Sequence, residues 1–148
     1  MKMPILQLMS LTTSGNTSYT DIVIDLFNRF GQGDVPGIME RIAENAVWDQ
    51  GGNPAIIPYS GKYEGKAAVM KFFGDVASSI QITVFEPSNF REEGNTVYND
   101  VHLAGTVLAN GNHADYVLHM TWTFDANGNV AYHQAAGDFS GVEAAFLG

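Results

Sequence analysis

The side chains equipped for proton chemistry are few. Asp138 ends an alternating apolar stretch, Asp49 stands between Val47-Trp48 and Gln50-Gly51-Gly52, and His102, His119 and His133 fall in the same C-terminal part. A carboxylate set among aromatic and aliphatic groups loses hydration, its pKa rises, and it becomes usable as a general acid or base near neutral pH. Asp138 meets that description where it shares a face with Tyr116, Leu118 and Trp122. The alternative is that it caps the segment 141–146 or bonds a backbone amide there. Asp49 has two readings as well, a base or a turn-forming carboxylate ahead of the glycine pair. Three imidazoles raise the question of a metal. No H-x-x-x-H or similar spacing joins them, so no metal site is expected. Zero cysteines remove thiolate nucleophiles, disulfides and thiolate-bound metals. Gly61, Gly65 and Gly74 match neither a dinucleotide nor a phosphate-loop pattern, and no cofactor is expected.

The elements that must position these groups follow from periodicity. Ile22, Leu26, Phe27 and Phe30 have helical spacing, and Gly31 closes that helix. Asp34 is the expected N-cap of a second helix, with Pro36 in its first turn and Ile38, Met39 and Ile42 on its apolar side. Residues 46–50 read as a short strand entering a Gly/Pro-rich loop over 51–61. Residues 65–78 read as a third helix burying Ala68, Val69, Phe72, Phe73 and Val76. From Ile80 the period changes to that of strands, over 80–90, 96–109, 113–124 and 129–138. Helices first, then adjacent antiparallel strands, is an α+β order. Residues 1–18 stand apart as a flexible N-terminal arm, suited to docking on a partner subunit. Lys2 ahead of a short apolar run is also compatible with the start of a secretory signal. Residues 19–148 form the single expected domain.

Turn chemistry sets the strand registers. Asn110-Gly111 as a two-residue turn pairs Val101 with Met120, Leu103 with Leu118 and Gly105 with Tyr116 on one face, and His102 with His119 on the other. Asp125 to Gly128 suits a three-residue loop with a glycine bulge, which adds Trp122/Tyr132, Met120/Gln134, Leu118/Ala136 and Tyr116/Asp138 to the apolar face. The rival, Asn127-Gly128 as a two-residue turn, sends Asp138 to the opposite face. With the first choice, Trp48, Tyr63, Tyr116, Leu118, Met120, Trp122, Tyr132 and Gln134 are the expected wall of an apolar pocket. His102, His119 and His133 then share the outer, Thr-rich face. Buried neutral at an interface between copies, they would make a dimer weaken between roughly pH 6.5 and 5.

Seven Lys and Arg against 16 Asp and Glu give a net charge of -9, which opposes binding to nucleic acid or anionic lipid. No run approaches the roughly 18 apolar residues of a membrane span. A cytoplasmic protein whose partners are small apolar molecules and itself is the expectation. Over residues 19–146 the chain resembles the SnoaL-like branch of the NTF2-like superfamily. The resemblance rests on Val47-Trp48-Asp49, on Ile57-Pro58-Tyr59-Ser60-Gly61-Lys62-Tyr63-Glu64-Gly65-Lys66 leading to Phe72-Phe73, and on Trp122-Thr123-Phe124, Gly128-Asn129-Val130 and Asp138. It implies a cone: a curved antiparallel sheet wrapped around three N-terminal helices, an internal pocket, and a homodimer through the convex face. Asp138 matches the position of the acid/base aspartate of polyketide cyclases. Asp49 resembles the general base of ketosteroid isomerases, but Leu26 and Met120 stand where that enzyme needs its oxyanion donors. Arg29, Arg41 and Arg91 lie on helix flanks or in a loop, away from an epoxide-hydrolysing set, and the registers deny the pocket the histidines of a scytalone-type dehydratase. The expected function is a cofactor-independent cyclase, isomerase or lyase using Asp138 on an apolar ring-containing substrate. The alternative is a non-catalytic ligand-binding or dimerisation module.

Overall fold

Helix α1 (Tyr19–Gly31) begins at a capping box: the Asp21 amide donates to the Ser18 hydroxyl, and the Ser18 amide donates to the Asp21 carboxylate. The structure, a computed structural model, describes residues 18–148, so the arm expected over 1–18 lies, apart from Ser18, outside the described residues. Helix α2 (Val35–Met39) opens on Asp34, whose carboxylate accepts from the Gly37 amide, with Pro36 in the first turn. It is a single turn. Ile42, expected on this helix, instead begins strand β1 (Ile42–Gln50), because the Val130 amide donates to the Arg41 carbonyl and draws the chain into the sheet.

Strand β2 (Gly61–Glu64), unforeseen in the sequence, precedes helix α3 (Lys66–Ser79). Strands β3 (Ile80–Glu93), β4 (Thr96–Val107), β5 (His113–Phe124) and β6 (Val130–Gly137) follow, and helix α4 (Ser140–Leu147) ends the chain. The sheet order is β2-β1-β6-β5-β4-β3, antiparallel except for β1 against β6. The architecture is α+β, a curved and unclosed six-stranded sheet with α1 and α3 on its concave side. Bulges interrupt β3 against β4, at Ile82/Val84 and again at Ser88/Arg91, and each adds twist and bend. At the first of them Gly105 is required, since a Cβ there would lie 2.5 Å from the Gln81 carbonyl oxygen. Among the described residues no helix is long and apolar enough to cross a membrane.

Two register findings decide the site. The β4–β5 connection is wider than a two-residue turn: the Val107 amide donates to the Asn112 carbonyl, and the Gly111 amide to the Val107 carbonyl. Val101 therefore faces Leu118 rather than Met120, a slip of two residues that leaves every side chain on its expected face. The next turn forms as expected, with Gly128 at φ 79° and its amide bonded to the Asp125 carbonyl. One pair later the register changes. Phe124 faces Val130 but Thr123 faces Tyr132, leaving Ala131 as an extra residue. This bulge turns over all of β6 beyond it. His133 and Ala135 go to the concave face, and Tyr132, Gln134 and Ala136 go outward.

Candidate functional site

Between the concave sheet and the helices lies a cavity of about 80 Å³. A single water needs roughly 10–15 Å³ on that measure, so the space admits a small organic molecule. Its walls are Leu26, Phe27 and Phe30 from α1, Phe72, Phe73 and Val76 from α3, and inward residues of five strands. Among the described residues no Asp, Glu, Lys or Arg lines it. The polar side chains on it are His133, Gln50, Tyr59 and Tyr116.

His133 is central because three neighbouring strands bring it between two indoles. Trp48 on β1 and Trp122 on β5 are its direct cross-strand neighbours. The ring centroids lie 4.2 Å from Trp48 and 4.0 Å from Trp122. The imidazole is 1 % exposed. Desolvation lowers its pKa from 6.5 to about 3, against a weaker opposing hydrogen bond to the Thr121 backbone. It is therefore neutral at physiological pH. Its Nδ1 and the Trp48 Nε1 are buried without hydrogen-bond partners among the described residues. Trp122 is anchored differently: its Nε1 donates to Asn99 Oδ1 at 2.8 Å, and the Asn99 amide donates to the Asp100 carbonyl. Elsewhere on the wall the Tyr59 and Tyr116 hydroxyls meet at 3.0 Å, and burial raises both phenol pKa values.

Of the residues singled out in the sequence, Trp48, Tyr116, Leu118, Met120 and Trp122 lie on the cavity wall. Tyr63 is buried beside it, its ring against Phe72 and its hydroxyl donating to Asp75. Tyr132 and Gln134 are corrected to the outer face, carried there by the Ala131 bulge. Asp49 also points outward, since it alternates with Trp48 and Gln50, both of which line the cavity. Asp138 is exposed beyond the end of β6 and accepts from the Ser140 amide and hydroxyl at 3.0 and 2.7 Å. Those bonds hold its carboxyl below the ordinary carboxylate range, opposite to what a general acid needs. The carboxylate organises the entry to α4 and has no access to the cavity.

The outer histidines are corrected too. His102 has Glu86 on Nδ1 at 2.9 Å and Asp115 on Nε2 at 2.7 Å, which raises its pKa. His119 Nδ1 meets Asp100 at 2.7 Å. His133 does not join them. The expected neutral histidine cluster is thus a carboxylate-paired row of two, and for His102 the sign of the pH dependence reverses: its contribution is present at low pH and lost as pH rises through its raised value. Among the described residues no His, Asp or Glu cluster is arranged to hold a metal.

Three polar wall residues escaped the sequence reading. Gln50 was findable, being two residues beyond Trp48 on one strand face. Tyr59 stood in a loop where only an apolar run, Ile56-Ile57-Pro58-Tyr59, hinted at burial. His133 depended on a bulge that no local motif announces.

The profile of the SnoaL-like domain matches residues 23–133. An NTF2-like protein of unknown function from Burkholderia pseudomallei superposes with TM-score 0.80 at 19% identity, covering 90% of this chain and 100% of that one. TerC, co-crystallised with polyporic acid, gives TM-score 0.77 at 18% identity over 88% of this chain and 98% of its own. A Mesorhizobium loti protein assigned as a SnoaL-like polyketide cyclase gives 0.67 at 15% identity over 81% and 99%. These identities speak to the fold alone. No curated protein matches the sequence.

Proposed function

The chain belongs to the SnoaL-like domain family, and on that premise we propose that its cavity takes an uncharged, ring-bearing small molecule and moves a proton on it. The observation that carries this reading is the wall itself, aromatic and aliphatic, free of charged side chains, and holding one neutral imidazole between two indoles. A charged ligand would lose its hydration there without a counter-charge, at a cost of several kcal/mol, whereas a flat ring gains area burial and stacking. With Asp138 and Asp49 outside, His133 is the titratable base on the cavity wall. Burial keeps it unprotonated at neutral pH but makes it a weak base, and it takes the proton-accepting role as a developing oxyanion beside it raises that pKa.

A second reading, retention of a ligand without turnover, has one observation in its favour. Nδ1 of His133 is sealed from solvent, so the ring must turn before it can reach a substrate. Incubating the protein with 2-tetralone in D2O separates the two. Proton–deuterium exchange next to the carbonyl, seen by NMR above the buffer rate and lost in His133→Gln, supports proton transfer. Binding by calorimetry with exchange at the buffer rate supports retention. We also propose a second copy of this chain on the outer face, where Val117 is 46 % exposed among half-buried Thr121, Tyr132 and Ala136.

A further inference from the structure

We propose that the Tyr59–Tyr116 hydroxyl pair is the polar anchor of the cavity and recognises a ketone oxygen, so that the ligands preferred are ring ketones rather than ring hydrocarbons. This rests on the cavity being a ligand site. The two hydroxyls come from distant parts of the chain, Tyr116 from β5 and Tyr59 from the loop between β1 and β2, and both residues are buried and line the cavity. Each hydroxyl has one proton to give and can also accept. Their mutual bond at 3.0 Å uses one of the two protons, and no other protein group among the described residues takes the second. A buried donor left unmet is costly, which calls for an acceptor inside the cavity.

The acceptor's chemistry follows from what surrounds it. A carboxylate is disfavoured because no cation lines the wall. An ammonium group is disfavoured because the pair must give a proton and no carboxylate is present. A carbonyl oxygen only accepts, and it carries no charge to desolvate. One phenol donating into the other polarises the remaining O–H, making it a stronger donor than a lone tyrosine. Burial keeps both phenols protonated across the ordinary pH range.

The loop is built to hold Tyr59 in place. Gly52 sits at φ +95°, a Cβ on it would lie 2.7 Å from Ser60 Oγ, and that hydroxyl donates to the Gly51 carbonyl at 2.6 Å. Phe146 of α4 packs edge-on against Tyr59, and Phe139 packs against Tyr116. The hydroxyls are thereby fixed before a ligand arrives.

The test compares 2-tetralone with tetralin, the same two rings without the oxygen. Calorimetry on the wild type is expected to give about tenfold tighter binding of the ketone, the value of one hydrogen bond. In the Tyr59→Phe/Tyr116→Phe double variant that ratio should fall towards one, with tetralin affinity kept. The infrared carbonyl band of bound 2-tetralone should move to lower wavenumber in the wild type. It should return towards its value in apolar solvent in the Tyr59→Phe/Tyr116→Phe double variant. Equal affinity for the two probes in the wild type, or an unshifted band in the bound ketone, overturns the anchor while the cavity reading stands. Neither readout needs a variant to fold. Failure of both probes to bind overturns the cavity reading and the anchor together.

Discussion

Replacing His133 with phenylalanine should remove most of the protein's sensitivity to mild acid. The imidazole is fully buried, and its pKa falls from 6.5 to about 3 on folding. Between those values the unfolded chain binds a proton that the folded chain refuses, so stability is complete above pH 6.5 and declines as pH falls through the window. At pH 5 the difference is one and a half pH units below the unfolded value, about 2 kcal/mol, or roughly thirtyfold in the ratio of folded to unfolded chain. Other groups act at the edges of this range. Asp100 and Asp138, held below the ordinary carboxylate range, lose their contributions only in stronger acid. His102, raised by Glu86 and Asp115, works in the opposite direction, and the comparison is best made in a His102→Gln background. Urea titrations at pH 7.5, 6.5, 5.5 and 5.0, followed by the fluorescence of Trp48 and Trp122, should show the parent losing about 2 kcal/mol more than the His133→Phe protein by pH 5. Parallel curves for the two proteins would refute the buried, neutral imidazole.

Met120→Trp should fill the cavity and abolish binding of tetralin and 2-tetralone in calorimetry while leaving the fold intact by circular dichroism. Asp138→Asn should leave the D2O exchange rate of 2-tetralone unchanged, and its effect should be confined to hydrogen-exchange protection in α4, whose entry it organises. Asn99→Ala removes the acceptor of the Trp122 N–H and should cost about 1–3 kcal/mol in urea unfolding at neutral pH. The homodimer proposed on the outer face, sedimented at pH 7.5 and at pH 6, should persist at the lower value because His102 there prefers its charged form. Dissociation on that change would contradict the carboxylate pairing.

Much of the architecture could be read from residue types. The cap at Asp34, the apolar spacing of Val69, Phe72, Phe73 and Val76, and the alternation along β4 and β5 are local signals, and local chemistry resolves them. The face of Tyr116, Leu118, Met120 and Trp122 survived an error in the turn because the slip was even. What could not be read is non-local. Ile42 leaves its apparent helix for a bond to a strand nearly ninety residues further on. Four residues of β2 become a strand only because β1 offers an edge. The Ala131 bulge, one residue in an unremarkable sequence, placed Asp138, Tyr132 and Gln134 on the wrong side and concealed His133.

That bulge makes β6 a text legible in two frames. With Ala131 bulged out, the cavity receives His133 and Ala135; with Ala131 taken into the ladder opposite Thr123 and the turn kept, the same strand would present Tyr132, Gln134 and Ala136 inward and send the imidazole out to water. Two chemically distinct interiors are thus encoded in alternate letters of one segment, and a one-residue change of pairing separates them. For a scaffold whose relatives keep the shape at below a fifth sequence identity, such frame changes offer a route to a new lining that substitution would reach only through several simultaneous steps.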